Sequence, residues 1–101
     1  MRVEFDPVGR TVTFDCPGCG FAHILNVDPA HRPSWTFNGK LDLPTLFPSI
    51  NATRKFPSGR PTERCHSWVR DGRIEFLSDC THALAGKTLE LPELRSPAQN
   101  T

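Results

Sequence analysis

"CHSWVRDGRIEFLSDCTH", residues 65–82, is the stretch on which the fold turns. Asp71-Gly72 separates two β-rich runs, and both residue types accept the positive φ angles of a two-residue type I′ loop. If the loop is two residues long, Arg70 faces Arg73. Outward from it Val69 opposes Ile74, Ser67 opposes Phe76 and Cys65 opposes Ser78. Side chains two apart share a face of a strand. Cys65, Ser67, Val69, Ile74, Phe76, Ser78 and Cys80 therefore lie together on the expected core face, and His66, Trp68, Glu75, Leu77 and Asp79 on the other. Cys80 is the diagonal neighbour of Cys65, about 7–8 Å away between backbones, and nearer between side chains.

That register asks what the two cysteines meet. Upstream, Cys16-Pro17-Gly18-Cys19-Gly20 has the form of a knuckle, in which a glycine-containing turn aims two thiolates at one centre. The expectation is a closed zinc site made by Cys16, Cys19, Cys65 and Cys80, since zinc suits four thiolates in a tetrahedron. His66 or His82 in place of one cysteine is the alternative, because a bulge or another turn would exchange the faces. Buried free thiols or disulfides are the readings without metal. Cysteines in CxxC spacing point to metal in a reducing cytosol. The start, "MRVEFDPVGR", carries no apolar signal-peptide run, and no stretch approaches a membrane span, so a cytoplasmic protein without membrane contact is expected.

The remainder of the chain suits a small fold of short strands. With 101 residues it has room for one domain, and ten prolines and seven glycines disfavour long helices. "VEFDPVGRTVTF" (3–14) reads as two alternating strands about a Pro/Gly turn, with Val3, Phe5, Val12 and Phe14 on the buried face. "FAHILNV" (21–27) is a third strand. Asn38-Gly39 within "SWTFNGKLDL" (34–43) signals another hairpin. Residues 44–64 contain four prolines and read as extended segments and loop. "THALAG" suits a helical turn closed by Gly86, and "KTLELPEL" a last strand. The expected fold is mostly β, a zinc-stapled domain of short antiparallel hairpins with one or two short helical turns at most. It spans 1–94, and 95–101 form a flexible tail.

Function is less constrained. A closed four-thiolate ion has no vacant position and cannot act as a Lewis acid. The preferred reading is thus a zinc-stapled module that binds another protein. A small metal-dependent hydrolase is the alternative, with His66, Asp79 and His82 as its catalytic residues. In the hairpin register Asp79 is diagonal to His66 on the same face, so a carboxylate can orient an imidazole there. His23 reads as a structural histidine. A third reading is nucleic-acid binding: residues 54–73 carry six basic side chains, Arg54, Lys55, Arg60, Arg64, Arg70 and Arg73, against two acids. The net charge of +1 weakens that reading. Trp68, Arg64, Arg70 and Arg73 are the candidate binding residues for a partner.

The order "CPGCG…H", "W..NG", "PT..PSI" and "CHSWVRDGRIEFLSDCTHALAG" resembles a family of small zinc-binding-like proteins encoded by bacteriophages and prophages. The resemblance runs from Cys16 to about Leu91. It implies an accessory role in a bacterial host cell, interference with a host defence system included. The pattern takes in the positions of His66, Asp79 and His82 as well as the cysteines.

Overall fold

The computed structural model describes residues 1–94, so the expected tail at 95–101 lies outside the described residues. Among the described residues the regular structure is all strand, in two antiparallel sheets. β1 (Glu4–Asp6), β2 (Thr11–Asp15) and β3 (Ala22–Asn26) form a three-stranded meander. β4 (Thr36–Phe37), β5 (Leu46–Arg54), β6 (Glu63–Arg70), β7 (Arg73–Phe76) and β8 (Thr88–Glu90) follow in chain order as a five-stranded sheet. Val12, Phe14 and Leu25 of the first sheet meet Leu46, Ile50, Val69, Ile74 and Phe76 of the second in one buried cluster, which Val3 and Leu91 complete.

The central hairpin follows its turn. Asp71 and Gly72 have φ of 49° and 79°, and the pairs are Arg70–Arg73, Val69–Ile74 and Ser67–Phe76. Cys65, Ser67, Val69, Ile74 and Phe76 are all buried. Ser78, expected on the same face, is exposed. β7 ends at Phe76, and residues 77–80 close a turn through Cys80 N–H to the Leu77 carbonyl at 3.2 Å, so strand parity no longer applies there.

Two local expectations need correction, the Asn38-Gly39 hairpin and the burial of Phe5. Asn38-Gly39 does not join a two-residue hairpin: β4 pairs instead with Leu46 and Phe47. The Leu41 carbonyl accepts the N–H groups of Arg2 and Val3, at 2.8 and 3.3 Å, which draws residues 40–43 to the N-terminal segment. Residues 44–64 are extended chain and loop, as expected, and the extended part is the longest strand, β5, which runs through Pro48. Register against β6 shifts between Leu46 and Ile50, so Phe47, Pro48 and Ser49 bulge out, and Pro48 needs no ladder partner for a missing N–H. Phe5 is 42% exposed and rests against Phe37 rather than in the core. "THALAG" forms consecutive turns, with Ala85 N–H on the His82 carbonyl and Lys87 N–H on the Leu84 carbonyl.

Candidate functional site

β6 divides the site between two faces. Cys65 points into the core, whereas its neighbour His66 stands on the outer face of the five-stranded sheet. Residues 79 and 80 repeat the arrangement, with Asp79 outside and Cys80 buried.

On the outer face the β5 bulge turns Ser49 toward β6. Ser49 Oγ lies 3.2 Å from His66 Nε2. His66 Nδ1 lies 3.0 Å from Asp79 Oδ2 and 3.2 Å from Oδ1. Asp79 accepts the Nδ1 proton, which leaves Nε2 free to accept the Ser49 hydroxyl proton. The His66 hydrogen bond and charge, with the Arg64 guanidinium 3.6 Å away, hold the Asp79 carboxyl below its ordinary value. Hydroxyl, imidazole and carboxylate in series are the arrangement by which a serine is made nucleophilic. The His66–Asp79 pair, which the hairpin register allows, is thus present. Ser49 had no such signal: its strand was hidden by Pro48, and only the bulge aims it.

Candidate binding residues surround this series. Trp68, two positions from His66, stacks on Phe47 with ring centroids 6.0 Å apart, and Arg70 lies 4.5 Å above the Trp68 ring. Arg73 lines an open hollow with Trp68, Arg70 and Glu75. Farther along, Arg54 and Arg60 pair with Glu63, at 2.8 and 3.7 Å.

On the inner face, two groups of side chains are close enough to hold a metal ion. Cys16, Cys19, His23 and Cys65 form one, and Cys65, Cys80 and His82 the other. Cys16 and Cys65 Sγ are 3.7 Å apart, and Cys19 Sγ is 3.5 Å from His23 Nε2. His23, read from sequence as structural, thus joins the knuckle, while Cys80 is grouped apart from Cys16 and Cys19. Among the described residues all four cysteines are free thiols. The hydrogen bond from Cys65 draws the Cys16 thiol down to about 4. Burial lifts Cys19 to about 11. Cys65 is pushed strongly upward by the proton it gives to Cys16, then by burial.

Cys80 has other contacts. Its Sγ accepts the His66 N–H at 3.2 Å and donates to the His66 carbonyl at 3.1 Å. His82 stands edge-on to Phe76, centroids 4.6 Å apart, and its Nδ1 accepts the Leu84 N–H at 3.2 Å. Among the described residues its buried Nε2 has no hydrogen-bond partner. The ring sits against Gly18, where an added Cβ would come within 2.4 Å of it. His82 therefore belongs to the inner face, outside the Ser49–His66–Asp79 series.

The family described as "Bacterial ubiquitination-like system serine protease (BubE)" matches residues 2–77, and the chain belongs to that family. No curated protein matches, and no solved structure matches. Among the described residues no helix is long and apolar enough to cross a membrane.

Proposed function

We propose that this chain is a serine hydrolase that cleaves an amide bond in a protein, with Ser49 as nucleophile, His66 as general base and Asp79 as the group that orients it. The unbroken Ser49–His66–Asp79 hydrogen-bond series carries the reading, and the description of the family supports it. Ser49 Oγ attacks the scissile carbonyl carbon as His66 Nε2 takes its proton. The C–N bond then breaks, and the same proton passes to the departing amine. Water, deprotonated by His66, releases the acyl group and regenerates Ser49. Asp79 keeps the Nδ1 proton in place and stabilises the imidazolium.

The series lies on an open sheet face, which suits a bond on the surface of a protein better than an enclosed small molecule. The substrate we infer is a protein linked through the kind of amide that a ubiquitination-like system makes. The interaction-module reading merges with this one, since its partner becomes the substrate. A phage accessory or counter-defence role has the sequence resemblance alone behind it. Free thiols suit the reducing cytoplasm of a bacterial cell.

We also infer that zinc fits the inner cluster, held by Cys16, Cys19, His23 and Cys65. Zn–S bonds of about 2.3 Å and Zn–N bonds of about 2.0–2.1 Å, at tetrahedral angles, place S···S at about 3.8 Å and S···N at about 3.5 Å. The observed separations of 3.7 and 3.5 Å match those edges. Four protein ligands leave no open position, so the ion would serve as a structural cross-link between the knuckle and β6.

A fluorophosphonate probe tests the catalytic reading. It should label the wild-type chain at Ser49, as located by peptide mapping, and leave Ser49→Ala unlabelled with its circular dichroism unchanged. A wild-type chain that is folded and metal-loaded yet unlabelled at Ser49 would refute the reading.

A further inference from the structure

The hydrogen-bond parity of the large sheet leaves one strand edge open beside Ser49. Leu77 N–H donates to the His66 carbonyl and Thr81 N–H to the Arg64 carbonyl, both at 2.9 Å. The backbone groups of Arg64 and His66 therefore point away from β5, and those of Cys65 and Ser67 point toward it. Their register partners, Ala52 and Ile50, face back to meet them. Between these, Asn51 and Thr53 turn their N–H and C=O groups to the opposite side of β5.

Little covers that side. β4 pairs only with Leu46 and Phe47, and the Trp35 indole takes the Ser49 carbonyl at 3.3 Å. Beyond Ser49, the outward backbone groups of Asn51 and Thr53 have no partner among the described residues. β3, the edge of the other sheet, flanks the same gap, and among the described residues no ladder joins it to β5. A cavity of about 420 Å³ separates Phe21 and His23 from Ala52, Thr53 and Arg54. Unpaired edges are ordinarily blunted or covered. This one ends at the nucleophile.

We propose that the Asn51–Thr53 edge of β5 is a substrate-docking edge, on which an extended segment of the substrate protein adds as a further strand and is led to Ser49. This rests on the catalytic reading for what happens at Ser49, though not for the docking itself. The occupant is identified by its backbone: alternate N–H and C=O groups of the segment would pair with those of Asn51 and Thr53, and its side chains would point to either face. From Thr53 to Ser49 the edge is about 13 Å long at 3.3 Å per residue, which accommodates roughly four substrate residues.

The test uses the full chain and N-acetyl-oligoalanine aldehydes of one to four residues. Each competes with fluorophosphonate for Ser49, while amide hydrogen exchange on β5 is followed residue by residue. In the free chain, Asn51 and Thr53 should exchange fast and Ile50 and Ala52 slowly. The tetrapeptide aldehyde should bind about tenfold tighter than the single-residue aldehyde, as expected from two or three added main-chain hydrogen bonds. It should slow Asn51 and Thr53 exchange, and N-methylation of an edge-facing amide should remove the gain. Equal affinity at all lengths, or unchanged exchange at Asn51 and Thr53, would overturn the proposal. So would a free chain already protected there and dimeric, because a second copy would then occupy the edge. Failure of fluorophosphonate to label Ser49 would refute the catalytic reading alone, since exchange at Asn51 and Thr53 with the tetrapeptide present still decides the edge.

Discussion

Cys80 Sγ brackets the main chain of His66, 3.2 Å from its nitrogen and 3.1 Å from its carbonyl oxygen. One thiol accepts and donates at once, which a metal-bound thiolate could not do. Asp79, the residue before it, holds the imidazole of the same histidine. Backbone and ring of His66 are thus fixed by adjacent residues from opposite faces of the sheet. Cys80→Ala should slow fluorophosphonate labelling of Ser49 about tenfold, the value of one or two modest hydrogen bonds. Cys80→Ser should restore most of the rate, with metal content unchanged in both. Loss of metal from Cys80→Ser would show instead that the thiol is a ligand.

Asp79→Asn should leave the fold intact and lower turnover by about 10⁴-fold, because the amide no longer holds the Nδ1 proton tautomer. The pH dependence has a definite sign. The Asp79 carboxyl is held below its ordinary value, first by the His66 hydrogen bond and then by the charges of His66 and Arg64. Its contribution to stability is present above the ordinary carboxylate range and is lost as pH falls through the depressed value. In acid titrations followed by circular dichroism, wild type should lose stability relative to Asp79→Asn only below that range.

Metal removal should act on the whole molecule. A chelator, or His23→Ala, should release one zinc ion per chain and unfold the protein, since binding of this kind contributes on the order of a domain's entire stability. Uptake should be accompanied by proton release from Cys19 and Cys65, whose thiols are held above the ordinary range, so affinity should weaken as pH falls. Elemental analysis and a pH indicator in weak buffer measure both.

Gly18→Ala places a methyl within 2.4 Å of the His82 ring. The ring is wedged against Phe76 and cannot retreat without loosening the core. A destabilisation of about 1–3 kcal/mol is expected in urea unfolding. Gly20→Ala lacks such a contact but sits at a φ of +79°, so it separates backbone strain from overpacking.

Much of the fold was legible because Asp71-Gly72 sets parity for β6 and β7, and parity sorts cysteines from His66. It stopped being informative where the strand stops: Ser78 is exposed because residues 77–80 form a turn. Asn38-Gly39 carried the same local signal as Asp71-Gly72. There the N-terminal segment recruits residue 41, and tertiary contacts decide the pairing. Ser49 was illegible for a different reason. Its orientation depends on a bulge beside Pro48, and no periodicity in the sequence encodes a register shift. His23 falls to the knuckle because β3 returns beside β2 and brings its ring 3.5 Å from Cys19 Sγ, a closeness that strand alternation alone does not reveal.

Cys65 and His66 are consecutive residues whose side chains face opposite sides of one strand. A reagent that strips metal and a reagent that acylates serine would therefore silence the same protein from opposite directions. Sorted by inhibitor profile, it would be filed twice, as a metalloenzyme and as a serine enzyme. The order of loss tells them apart: acylation at Ser49 should leave the metal and the fold in place, whereas chelation should abolish both before any chemistry at Ser49 is tested.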